Sequence, residues 1–479
     1  MSTPANRRVW GFMIVTALTC FAPTVLADWP MPGHDAQRTS WAPEDTMPVP
    51  TRAIWAKKFE SFLPASVQIV TSSVQNKVYV TAADGIYALD PATGAQFWKY
   101  AMSLPPGNAP TYAGGTLYVA GTDKTVHAVD AATGAKKWQT LEAGMAFYAN
   151  PLVVNNRVYV GSLDGHFYCF DAATGSYVWS FSVGAPIQQS AAFQAYPDYP
   201  SGIIFFAAQD LRGHALRADT GAEIWKSAVL IGAERFQVYW PVVFDEVVFL
   251  VGGTYMPSND NASITNLQRD GMKRNYSDIP TPGQGWFNFQ HHQDWQAAHP
   301  YLRTTFILDR RTGGETLRSP FMHSGPQQGY RSPPVVGPNP TGSSPARLVW
   351  SRTPWHGSVD DFFGFGRFMG WSVGTSLARL IPGLDVQLES ADEGESYTII
   401  GNQYLYSSKG IYGEGGFAGG VFPLAGGDGV NLDASALGNI DSRMSERKYN
   451  YGMNDGNPPV PLNGKVYIHK DSTVLCFGQ

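Results

Sequence analysis

Val78-Tyr79-Val80 and Ile86-Tyr87-Ala88-Leu89 alternate with a period of two, the pattern of β-strands and not of helices. The first of these returns as Leu117-Tyr118-Val119, Val158-Tyr159-Val160 and Val466-Tyr467-Ile468. A turn follows each pair of strands, and it repeats as well. Ala88-x-Asp90-x-x-Thr93-Gly94-x-x-x-Trp98 comes back at Ala128 to Trp138 and, with Cys169 first, at Asp171, Thr174, Gly175 and Trp179. A looser copy has Ala215, Arg217 in the Asp place, Thr220-Gly221 and Trp225, and another has Asp309, Thr312-Gly313 and Leu317 in the Trp place. The tryptophans recur every 40 residues or so, a period of about 40–45 being that of four-stranded propeller blades.

The residue types explain the repeat. Asp accepts backbone hydrogen bonds in the turn, and Gly supplies a positive φ there. Trp opens the next strand and can lay its face on the neighbouring blade. No blade buries both faces alone, so the array must close or be capped. The last strand-pair, Val466-Tyr467-Ile468 to Cys476, lacks a following Trp strand, and that strand appears near the start as Arg52-Ala53-Ile54-Trp55. The N-terminal strand therefore completes the last blade. The expected fold is all-β, a single closed β-propeller of four-stranded blades, eight in number with seven as the alternative. It spans 28–479, with insertions at about 254–300 and 340–450.

Composition agrees. Hydrophobic residues are 43% and aromatics 13%, enough for a large core, whereas charged residues are only 15%. The net charge of −5 comes without a basic run, which argues against nucleic acid as a partner. Residues 1–27 read as a signal peptide: Arg7-Arg8, an apolar stretch from Val9 to about Phe21, then Val25-Leu26-Ala27 with cleavage after Ala27. The apolar stretch is short for a transmembrane segment, and no later one spans. A lipidated Cys20 and a twin-arginine signal are the alternatives. The mature chain is expected in the periplasm or secreted, as a monomer. Cys169 and Cys476 hold the same place in different repeats, so they should be buried free thiols too far apart to bridge.

The Ala-x-Asp-x-x-Thr-Gly-x-x-x-Trp unit resembles the tryptophan-docking motif of the quinoprotein alcohol dehydrogenase-like superfamily. Asp28-Trp29-Pro30-Met31-Pro32-Gly33-His34-Asp35 resembles the opening segment of its members. These include dehydrogenases using pyrroloquinoline quinone (PQQ) and BamB-type outer-membrane assembly factors. The resemblance is specific over 28–230, extends to 300–336 and 463–479, and is weak between. It implies the fold. For activity it leaves both PQQ with Ca2+ and a non-catalytic role open, because catalytic and non-catalytic members share the motif. The chain has no vicinal Cys pair and no Cys-x-x-Cys-His for haem, and the family's calcium-ligand set and catalytic Asp have no evident counterparts.

Residues preceding each innermost strand should line one mouth of the funnel: Tyr148, Gln188, Gln189, Tyr239, Trp240, Tyr330 and Arg331. Such amides, aromatics and an Arg suit a sugar or carboxylate, or simply a wet channel. His356 with Tyr330 and Arg331 could give acid–base chemistry in a polysaccharide lyase or hydrolase. His291, His292, Asp294 and His299 could ligate a metal, but adjacent histidines on extended chain point apart, and no metal site is expected. The reading is an exported propeller acting as a binding or scaffold protein for an envelope protein or a small-molecule or carbohydrate ligand. The alternatives are a PQQ-dependent oxidoreductase and a propeller lyase or hydrolase.

Overall fold

A computed structural model describes residues 28–42, 52–59, 68–233, 235–236, 239–252, 297–298, 303, 305–318, 333–339, 347–354, 365–373, 378–380, 386–389, 398–407, 417–424, 430–433, 459–470 and 473–478. The leader 1–27, Tyr330, Arg331, His356 and almost all of the 254–300 insertion lie outside these residues.

The first predicted blade is Gln68–Ser72, Lys77–Ala82, Gly85–Leu89 and Gln96–Ala101, an antiparallel meander in sequence order. Four-stranded meanders of the same kind begin at Thr111, Leu152, Ala192, Val242 and Val335, the last with a fifth strand, Val386–Glu389, paired back on Phe365–Val373. First strands of successive sheets meet at Gln68–Ser72 with Thr111–Ala113, Thr111–Ala113 with Leu152–Val154, Ala192–Tyr196 with Val242–Phe244 and Val335–Pro338 with Thr398–Ile400. Val460–Leu462 meets Gln68–Ser72, which places these strands around the centre of a ring. The chain is thus an all-β propeller of four-stranded blades.

The described strands form seven sheets, the alternative count. Eight separate blades are not confirmed, because the strands from Thr398 to Asp433 and those from Val460 to Gly478 belong to one eight-stranded sheet. Strand Arg52–Lys58 lies between the two groups. It pairs antiparallel with Thr473–Gly478 along its length, but meets Val430–Asp433 only through the parallel pair Arg52–Asp433. The N-terminal strand closes the ring, as its missing counterpart at the C-terminal end predicts.

The repeat chemistry works as its residue types require. Asp130 Oδ1 accepts from the backbone N–H groups of Ala132 (3.1 Å) and Thr133 (2.9 Å), and Asp90, Asp171 and Asp309 do the same in their turns. A β-bulge recurs beside each repeat Trp, at Ala88/Leu89, Ala128/Val129, Cys169/Phe170 and Ala215/Leu216, and beside Leu317 at Ile307/Leu308. It twists the outer strand so that its Trp faces the next sheet. There the Trp98 indole donates to Ala132 O (3.1 Å), Trp138 to Ala172 O (3.0 Å) and Trp225 to Arg310 O (2.7 Å). Tyr79 and Tyr118, from the Val-Tyr-Val and Leu-Tyr-Val strands, donate to Ala131 O (3.0 Å) and Ala172 O (3.1 Å) in the same turns. Trp55 and Tyr467 do this across the closure, both to Pro91 O. At these three junctions one tyrosine and one tryptophan pin a sheet to the next, and from the Leu152 sheet Tyr159 donates across to Ala218 O (3.0 Å). Cys169 and Cys476 are buried free thiols, and desolvation pushes each up to about 12.

Candidate functional site

Residues 28–42 occupy the centre of the ring. Their backbone carbonyls accept from N–H groups of the innermost strands of six sheets: Trp29 O from Thr71, Pro30 O from Tyr112, Ala36 O from Phe193, Gln37 O from Val243, Thr39 O from Val336 and Ser40 O from Ile400, all within 2.7–3.0 Å. Ala42 N donates back to Ile400 O (2.9 Å). Inner strands of a propeller otherwise present an unpaired edge, and here the chain's own beginning covers it. The segment doubles back on itself through Arg38 N to Asp35 O and Ser40 N to Gly33 O, with His34, Arg38 and Ser40 at positive φ.

Arg38 is a charged group at this centre, and it is fully buried. Its Nε donates to Ala191 O (2.9 Å), its Nη2 to Asn150 Oδ1 (2.8 Å), and its Nη1 to Pro32 O. Burial pulls the guanidinium down to about 9 while the Asp35 carboxylate works the other way, so it remains a cation at neutral pH. Burial would raise the Asp35 carboxyl too, but His34 and the Thr39 side chain and N–H outweigh that and hold it below its ordinary value.

Around Arg38 the links between sheets are tied edge to edge. Asn108 Nδ2 donates to Tyr148 O (3.1 Å), Asn150 Nδ2 to Ala109 O (2.8 Å), Asn150 N to Ser190 Oγ (2.8 Å), and Ser190 N to Tyr239 O (2.9 Å). Four consecutive sheet-to-sheet connections thus form a hydrogen-bonded arc at the mouth.

Five of the residues expected at the mouth are described. Tyr148 sits on the rim, 42% exposed. Gln188 accepts from Gln209 Nε2 (2.9 Å). Gln189 is fully buried, accepting from Ala207 N (3.0 Å) and donating to Val251 O (3.4 Å), so it ties the ends of the second strands of two adjacent sheets. Tyr239 and Trp240 are buried in the channel wall. The Trp240 indole nitrogen lies 2.9 Å from where a Cβ on Gly33 would stand, so the central segment packs directly on it. Arg38, Asn108, Asn150 and Ser190 are additions to the sequence-based set. Asn108 and Asn150 each stand just before an innermost strand, and that shared position is the signal that could have found them.

The turns between second and third strands each carry an acid bonded to the third strand: Asp84 with Tyr87, Asp123 with His127, Asp164 with Tyr168, and Asp210 with His214. His127 also meets Tyr100 of the preceding sheet, Oη to Nδ1 3.0 Å. Burial raises the Asp123 carboxyl, but His127 and Thr125 outweigh it and hold the group below 3.8. Among the described residues, no group of three or more His, Cys, Asp or Glu is placed to hold a metal ion. Among them, too, no helix is long and apolar enough to cross a membrane.

The connections on this side also carry exposed apolar side chains: Leu104, Leu141, Met145, Val229 and Ile231, with Leu141 at 92% exposure. They lie on three connections, one of which also carries Tyr148.

A family model described as the outer membrane protein assembly factor BamB matches residues 50–148 and 82–256. Among solved structures, the chain is similar to BamB from Moraxella catarrhalis, with 14% identity, TM-score 0.51, and 89% of this chain and 99% of that one covered. It is likewise similar to the quinohemoprotein alcohol dehydrogenase from Comamonas testosteroni, at 14% identity and TM-score 0.56 over 95% of this chain and 81% of that one. A computationally designed protein, Ika8, matches at 15% identity and TM-score 0.53, over 90% of this chain and all of its own. At these identities the structural likeness carries the fold alone. No curated protein matches the chain.

Proposed function

Starting from a chain that is a PQQ-repeat β-propeller of the quinoprotein-like superfamily, we propose that it is an exported, non-catalytic binding protein that docks an envelope protein. Docking takes place on the face formed by its sheet-to-sheet connections. The observation that carries this reading is the apolar crest on that face: Leu104, Leu141, Met145, Tyr148, Val229 and Ile231 stand exposed on three connections. A large apolar side chain left 92% in water, with five more exposed on the same set of connections, is what a protein-interaction surface offers and a folded core does not need. The arc of hydrogen bonds from Asn108 to Tyr239 holds those connections in place, so a partner would meet a preformed surface. The reading of residues 1–27 as an export leader supports an envelope location, and one similar chain is BamB.

The test is capture from an envelope extract by the tagged mature chain, with captured proteins identified by mass, beside the double variant Leu141→Asp/Ile231→Asp. Both positions are exposed, so the variant should melt as the wild type does while losing its partner. Equal capture by both proteins would show that the crest is not the docking surface.

A further inference from the structure

We infer that residues 28–42 are a separable internal ligand, an extended peptide bound by the inner edges of the sheets, whose docking locks the ring. The bonding pattern supports this. The segment contributes carbonyl oxygens, the innermost strands contribute N–H groups, and six sheets take part, from Thr71 to Ile400. That is how a peptide binds an open sheet edge, main chain to main chain, here spread around a circle. The side chains add anchors: Trp29 is fully buried, its backbone N–H held by Thr71 Oγ1 (3.0 Å), and Thr71 Oγ1 donates in turn to Pro461 O (3.0 Å). Arg38 spans two further connections through Ala191 and Asn150. At the far end the Trp41 indole donates to Asn402 Oδ1 (3.3 Å).

The segment cannot bind before the ring exists. Its acceptors answer donors that stand together only when the sheets beginning at Gln68, Thr111, Ala192, Val242, Val335 and Thr398 are arrayed around one axis. Docking is therefore the last closing event. The sheets beginning at Gln68 and Thr111 are then held twice, to the next sheet by Trp98 with Tyr79 and by Trp138 with Tyr118, and at the inner strand by the central peptide. The inference is independent of the docking face, since none of the exposed crest residues takes part.

The test uses the full mature chain with a protease site inserted between Ala42 and Arg52, cut after folding. The cut protein should melt several degrees below the uncut one, because the segment is no longer tethered. Its melting temperature should then climb with added synthetic 28–42 peptide, as mass action requires of a ligand that binds only the folded state. A peptide carrying Arg38→Ala should give little or none of that rise. A cut protein that melts like the uncut one and ignores added peptide would overturn the inference. So would one that melts lower and is not restored by peptide. The read-out is stability alone, so failure here leaves the partner-docking assay unaffected.

Discussion

Gly134 lies on the face of Trp98, so close that a Cβ at that glycine would stand 2.7 Å from the indole ring. The same approach joins Gly94 to Trp55, Gly175 to Trp138 and Gly221 to Trp179. A single absent methyl group sets the spacing between adjacent sheets.

Two penalties separate at this position. Gly134 has φ +77°, and Gly115 has φ +75° with nothing within 4 Å of a built Cβ. Gly115→Ala should therefore cost only the backbone term, about 1–2 kcal/mol. Gly134→Ala should add overpacking against Trp98, for about 2–5 kcal/mol in all. Urea unfolding of both variants checks this, and equal losses would show that contact with the indole is not limiting.

Arg38→Met should destabilise by about 2–4 kcal/mol, because Ala191 O and Asn150 Oδ1 lose a donor in a site closed to water. Arg38→Lys should not restore stability, since an ammonium cannot reproduce the three-way planar fork. Thermal melts of both variants decide the matter, and a fully stable Lys variant would mean that charge alone is required.

The acid limb should report on Asp123. Its carboxyl titrates below 3.8 in the folded chain, so its contribution is fully present above that value and is lost as pH falls through the lowered one. Asp123→Asn should lower stability at pH 7 and flatten the fall in melting temperature below pH 4. An unchanged acid profile would rule out the His127 pairing as its source.

The alkaline limb should report on the thiols. Cys169 and Cys476 ionise near 12 when folded against 9 ordinarily, so only the unfolded chain loses these protons between those values. Stability should fall across pH 9–12, by up to about 1.4 kcal/mol per pH unit for each thiol. Buried tyrosines such as Tyr159, raised by desolvation, extend the loss to higher pH. Cys169→Ala/Cys476→Ala should make the slope shallower, and neither thiol should react with an alkylating agent at pH 8 before unfolding.

The parts of this fold carried by side chains are readable in the sequence. Trp98, Gly134 and Asp130 announce their contacts because each has one physical job at a fixed spacing. Trp55 and Cys476 are readable for the same reason, being two halves of one divided repeat. The central segment is not readable in this way, since its bonds to Thr71, Tyr112 and Val336 run between main-chain atoms and leave no composition signal. Arg38 looks in sequence like any surface arginine, and only the six sheets around it bury it. Gln189 misled in the opposite direction. A buried amide before an inner strand resembles a ligand-binding group, but here it satisfies Ala207 and Val251. The blade count is hard to read because the strands from Val335 to Asp433 carry no Thr-Gly-x-x-x-Trp turn.

The pairing of Arg52–Lys58 with Thr473–Gly478 bears on folding kinetics. Contacts such as Ala53–Phe477 span nearly the whole chain, which gives this ring a high contact order. Loop-closure entropy must be overcome before such contacts return any stability. Refolding should therefore be slow, with a long-lived intermediate in which the sheets from Gln68 to Lys226 have formed and the closing sheet still has open edges. A cell making this protein must keep those edges from pairing with one another until both ends of the chain have arrived.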